Sequence, residues 1–164
     1  MTGSYTGTTR EIWQWVACKW GIDERIVRAQ ATTESSWQQK MIGDWSKNEK
    51  HCAPGHGLGA DGRRAACPES FGVLQVRYRY FRGAFPDAIR STAFNADTAY
   101  AVWRACYEGY EHWLEDYSAP GHRYEAGDLW GCVGRWYSGA WYDKSAKRYI
   151  SCVKGIVQGR PPCD

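Results

Sequence analysis

Glu34 stands in Ala31-Thr32-Thr33-Glu34-Ser35-Ser36-Trp37, one carboxylate among small and aromatic neighbours in the last turn of an expected helix. A helix C-terminus carries partial negative charge, and apolar packing disfavours an ionised carboxyl. Both effects favour the protonated acid, and a Glu protonated near neutral pH can donate to a leaving glycosidic oxygen. The competing reading is a solvated helix residue, which most Glu residues are. A glycosidase that uses two carboxylates also needs a second acid. Asp44, Asp61 and Glu69 are the candidates, and Asp44, in Gly43-Asp44-Trp45, follows Glu34 soonest. Ser35 has no His or Asp spaced to activate it and reads as a hydrogen bonder at the helix end, not a nucleophile. His51, His56, His112 and His122 are scattered and read as solvated.

The elements that must position these residues are mostly helical. Thr8-Thr9-Arg10-Glu11 fits a capping box that opens a helix to about Trp20, stopped by Gly21. Asp23 caps a second helix to about Trp37, with Ile26, Ala29, Gln30, Thr33 and Trp37 in one stripe and Glu34 at its edge. From Gln38 to Glu69 periodicity disappears, and a loop of that length in a compact domain is functional or disordered. Leu74, Val76, Tyr78 and Tyr80 alternate with polar residues, which predicts a short strand or extended turn. One helical turn is expected over Asp87–Ser91. Asn95 or Asp97 is expected to cap the longest helix, running to about Asp116, with a core stripe from Ala99 to Trp113 that includes Cys106. Ser118–Gly127 reads as a loop, Asp128 opens a helix that Trp136–Tyr142 interrupts, and Asp143 caps a last helix through Val157. Residues 1–7 read as a flexible tail and 8–164 as a single domain.

The chain has 164 residues, 10 Trp, 11 Tyr and a net charge of +3. So many indole and phenol rings exceed the needs of one core, and exposed rings are stacking platforms for sugars. The mild basicity suits an anionic cell-wall surface, while the lack of a Lys/Arg cluster argues against nucleic-acid binding. No apolar run reaches a membrane span. The first nine residues are not a signal peptide, so the chain is read as a mature or recombinant form of a secreted protein. Seven cysteines without metal-ligand spacing favour disulfides over zinc and place the protein in an oxidising, extracellular compartment. Cys52 and Cys67 are the natural pair to staple the long loop. Cys132–Cys152 and Cys18–Cys163 are expected next, with Cys106 the free thiol. No cofactor is expected, and the chain is expected to be a monomer.

Glu34-Ser35, Gly72-Val73-Leu74-Gln75 and the Trp136–Tyr142 segment stand in an order that resembles the soluble lytic transglycosylase and goose-type lysozyme family, glycoside hydrolase family 23. That family shows a Glu-Ser pair ending a helix, then a Gly-Leu-Met-Gln motif, then Tyr-Asn-x-Gly. The resemblance spans roughly Trp15 to Val157. Its third motif is matched through Tyr137-Ser138 or Trp136-Tyr137-Ser138-Gly139, without the Asn. The resemblance implies a mainly α (α+β), lysozyme-like fold with a small β element beside a cleft, which agrees with the helix reading. It implies Glu34 as the catalytic acid, and Gln75 with the backbone of Val73 and Leu74 holding an N-acetyl sugar. It also implies Tyr137 or Trp136 close to Glu34. Ser35, Trp37 and Tyr78 complete the expected substrate-binding set, with Trp37, Trp45 and Tyr78 divided between core and cleft lining. The implied partner is peptidoglycan, cut at the β-1,4 bond between N-acetylmuramic acid and N-acetylglucosamine, or a related glycan such as chitin. Goose-type lysozymes carry an Asp-rich pattern before Gly-Leu-Met-Gln, whereas Cys67-Pro68-Glu69-Ser70-Phe71 stands here. The expected product is therefore a 1,6-anhydromuramyl end, with hydrolysis assisted by Asp44 as the alternative. A non-catalytic glycan-binding module is the reading from another class.

Overall fold

The computed structural model describes residues 2–163; Met1 and Asp164, the outer ends of the expected tail and domain, lie outside the described residues. Its elements are α1 (Thr9–Trp20), α2 (Glu24–Ser35), β1 (Ile42–Ser46), β2 (Cys67–Phe71), β3 (Val76–Arg77), α3 (Asp87–Arg90), α4 (Thr92–Tyr107), α5 (Leu129–Ser138) and α6 (Lys144–Val157). The protein is mainly helical, with one small antiparallel sheet in the order β1-β2-β3. Helix starts follow their capping residues. Thr8 and Glu11 form the reciprocal box, and Asp23, Asp128 and Asp143 each accept a hydrogen bond from a first-turn N–H. Each such cap contributes about 1 kcal/mol. Helix α2 stops at Ser35, short of Trp37, because Ser36 and Trp37 take left-handed backbone angles.

Helix α4 corrects the expected capping. Its cap is Ser91, whose hydroxyl accepts from the Phe94 N–H, and it ends at Tyr107. Asn95 and Asp97 lie inside it, fully buried, and use their side chains at long range. The Asn95 amide donates to the carbonyls of Phe71 and Ala88 and accepts from the Leu74 N–H at 3.0 Å. It thereby ties the turn after β2 to α4. Gly72 is required there: its φ is +81°, and a Cβ would lie 2.3 Å from the Asn95 amide nitrogen. Residues 72–75 are accordingly a tight turn, not the continuous strand that the Leu74–Tyr80 alternation predicts. Asp97 accepts from the Thr2 and Gly3 N–H groups and from the Trp20 indole, and pairs with Lys19 at 2.7 Å. With Tyr5 stacked on Trp15, the expected flexible tail is docked on the helices.

The core lies where α1, α2, α4, α5 and α6 meet, around Trp13, Tyr100, Leu114, Val133 and Trp141. Gly131 lets α5 approach Trp141, since a Cβ there would lie 2.2 Å from the indole. The structure forms Cys52–Cys67 as expected, closing the loop between β1 and β2. The other pairs differ: Cys106–Cys132 joins α4 to α5, Cys152–Cys163 folds the C-terminal tail onto α6, and the exposed Cys18 is the free thiol. Cys106 and Cys132 are both inward residues of helices that pack together, and periodicity along each helix does not show which helices meet. No helix among the described residues is long and apolar enough to cross a membrane.

Candidate active site

A cleft of about 980 Å³ runs between the sheet and the C-terminal helices, and Glu34, Asp44, Gln75, Trp136 and Tyr137 all line it. Glu34 enters from the last turn of α2. Its side chain keeps some access to the cleft, yet protein surrounds the carboxyl closely enough that burial pushes its pKa up to about 8. The Tyr149 hydroxyl opposes that shift by donating to Glu34 Oε1 at 2.6 Å, and the negative charge of Asp44 adds to it. Behind Tyr149 stands a buried chain of one polarity. Tyr100 donates to Gln30 Oε1 at 3.1 Å, and Gln30 Nε2 donates to the Tyr149 oxygen at 3.4 Å. Burial pushes both tyrosines well above their ordinary pKa, so they remain donors. Since Oε1 accepts from Tyr149, the acid proton of Glu34 belongs on Oε2.

Asp44 sits on β1 at a left-handed backbone position and is exposed. It accepts a short hydrogen bond from the Ser70 hydroxyl on β2, and Arg77 Nε lies 3.9 Å away. The other two candidates for a second acid are committed elsewhere. Glu69 is buried among His51 at 2.8 Å, Arg77 at 2.9 Å and Arg79 at 4.0 Å. Burial would raise its pKa, but the Arg77 charge and hydrogen bonds from Ser46, Arg77 and His51 outweigh it and hold the carboxyl below its ordinary value. Asp61 pairs with His56 at 3.0 Å beside a second, smaller hollow. His51 and His56, expected to be solvated, are thus ring partners of acids.

The rest of the expected binding set divides. Ser35 is buried, and its hydroxyl donates to the Val73 carbonyl at 2.9 Å, fastening the Glu34 turn to the Gly72–Gln75 turn. Val73 and Leu74 have buried side chains. The Leu74 N–H donates to Asn95, and its carbonyl accepts from the Trp136 indole at 3.0 Å. That backbone therefore braces the site from outside the cleft lining. Gln75 lines the cleft, but its amide nitrogen donates to the Gly72 and Met41 carbonyls, leaving Oε1 as its acceptor. Trp136 stacks on Phe81, and the exposed Tyr137 stacks on Tyr149 at 4.8 Å. Trp37 and Tyr78 lie outside the lining. Trp37 packs edge-on to Trp13 and bonds to Arg28 and Thr32, while Tyr78 packs on Phe85. Trp45 sits under Arg63.

Sequence reasoning missed Tyr149, Gln30, Tyr100, Ser70, Arg77 and Arg135. Tyr149 was legible as an inward residue of the last helix, and a buried Tyr hydroxyl needs a partner. Which partner depends on how α6 crosses α2. No protein-family model, curated protein or solved structure matches this chain.

Proposed function

We propose that this protein is a lytic transglycosylase that cleaves the β-1,4 bond between N-acetylmuramic acid and N-acetylglucosamine in peptidoglycan, with Glu34 as its acid and then its base. The observation that supports it is the setting of Glu34: a carboxyl whose pKa burial pushes up to about 8, hydrogen-bonded by Tyr149 and open to a polar, aromatic cleft. Glu34 Oε2 gives its proton to the glycosidic oxygen as the C1–O bond breaks. The substrate's own N-acetyl oxygen stabilises the developing positive charge at C1. The Glu34 carboxylate then takes the proton of the 6-hydroxyl as that oxygen bonds to C1, so Glu34 is regenerated and no water is consumed. The reading implies a lysozyme-like architecture and an extracellular site of action, which suit the helical bundle and its three disulfides.

One observation favours a second reading. Asp44 lines the same cleft, and its charge bears on Glu34. A carboxylate so placed can act as base for a water, giving hydrolysis by inversion. Mass spectrometry of products from purified peptidoglycan decides between them. A 1,6-anhydro end is expected; a reducing muramic acid end as the main product makes the protein a lysozyme-type hydrolase. No turnover by folded wild type on cell walls leaves a glycan-binding module.

A further inference from the structure

Six large apolar side chains are exposed among the described residues: Leu58, Tyr80, Tyr110, Trp113, Tyr117 and Tyr137. Four of them, Tyr80, Trp113, Tyr117 and Tyr137, line the one cleft that holds Glu34. Tyr137 sits beside the acid through Tyr149, but Trp113 and Tyr117 come from elsewhere. They stand on the 3₁₀ helix His112–Tyr117, in the long connection between α4 and α5. We propose that Trp113 and Tyr117 form a sugar-stacking platform that binds a more distant hexosamine of the same β-1,4-linked chain, so that the enzyme prefers long glycans. This inference rests on the proposed function.

The platform is built to stay in place. Cys106–Cys132 closes the connection at its base. The Tyr117 carbonyl accepts from the Trp141 N–H at 3.0 Å, and the Trp141 carbonyl accepts from the Ala119 N–H at 2.9 Å, which pins the segment to a fully buried indole. The Arg135 guanidinium lies 5.3 Å from the centre of the Trp113 ring and is itself buried and ion-paired with Glu111. Tyr117 meets Trp113 edge-on at 5.8 Å. Rings held this way lose little freedom when a ligand arrives, which conserves binding energy. The same cleft also carries polar lining: Gln75, Ser138, Asp143 and Ser145. Aromatic faces among hydrogen-bonding groups suit a ligand with one apolar ring face and a polar edge. A β-linked N-acetylhexosamine has that character, and a lipid tail does not.

The test is titration of the N-acetylglucosamine tri- and hexasaccharide into wild type, Trp113→Ala and Trp113→Phe by calorimetry, with thermal melting as the fold check. Wild type should bind the hexasaccharide more tightly than the trisaccharide. Trp113→Ala should lose about five- to tenfold in hexasaccharide affinity, and with it that gain, while Trp113→Phe keeps most of it. A folded Trp113→Ala protein that keeps the full gain, or a wild type with no gain, overturns the platform. Failure of the underlying function looks different: wild type would bind neither oligosaccharide and leave cell walls intact, which sinks both.

Discussion

Glu34 ends a core helix, enclosed and neutral at pH 7, its carboxyl oriented from behind by a chain of buried donors. Asp44 lines the same cleft as the exposed residue of a half-buried strand, tied to Ser70 and near Arg77, on a wall stapled by Cys52–Cys67. The two differ in their surroundings. Withdrawal from water keeps the Glu34 carboxyl as an acid, while Asp44 is exposed and accepts from the Ser70 hydroxyl with a guanidinium nearby. Glu69, closer to Arg77 than Asp44 is, does not line the cleft: its charge is spent inside the wall.

The largest effect should come from the buried side. Glu34→Gln deletes the proton and keeps the shape, so cell-wall lysis measured by turbidity should fall by about 10²–10⁴-fold or more. Wild-type lysis by a folded Glu34→Gln protein ends the comparison. The same variant tests the cost of burial. Glu34 holds its proton up to about pH 8 when folded, but only to its ordinary 4.5 when unfolded. The folded protein therefore loses stability as pH rises from 4.5 through 8, and Glu34→Gln does not. The variant should match wild type in acid and exceed it above pH 8, by a few kcal/mol at most because Glu34 keeps some access to the cleft. Denaturant unfolding at pH 4 and pH 9 measures this, and an equal difference at both would show that Glu34 is not buried as described.

The exposed side should respond to its staple. Replacing Cys52 and Cys67 with Ala opens a loop of sequence separation 15 and should cost about 3 kcal/mol of stability. Because the loop carries Asp44's wall, local hydrogen exchange should rise in β1 and β2 before α2. An unchanged melting temperature would mean that the ion pairs of Glu69 hold the wall unaided. Asp44→Asn sharpens the comparison next. With Glu34 as the sole catalytic carboxyl, the anhydro product should persist, with a rate loss below about tenfold, since most of the chemistry stays with the acid. Removing that charge should also lower the Glu34 pKa and move the alkaline limb of the pH–rate profile down. Abolished turnover makes Asp44 the base of a hydrolase. The smallest effect belongs to Tyr149→Phe, which removes the donor that favours ionised Glu34 and should move the alkaline limb upward. A downward move would show that the Tyr149 hydroxyl favours the protonated acid instead.

The starts of α1, α2, α5 and α6, the position of Glu34 at a helix end and the Cys52–Cys67 staple could be read from neighbouring residues alone. A cap acts over three residues, a stripe repeats within one helix, and a loop of sequence separation 15 has few other cysteines at hand. What only the tertiary structure decided was which of several suitable partners meet. Asn95 and Asp97 have the chemistry of caps, yet packing puts most of the first half of α4 inside and directs them to the Gly72 turn and the N-terminal segment. Tyr149, Cys106 and Cys132 are inward residues of their helices, but their partners lie 115 or 26 residues away. Trp113 read as a continuation of the core stripe, and it is exposed because α4 ends at Tyr107. A residue's type and its place in the helical period are local properties. The crossing of two helices is set by the whole core, and in this protein that crossing brings a tyrosine to the acid and aromatic rings to the cleft.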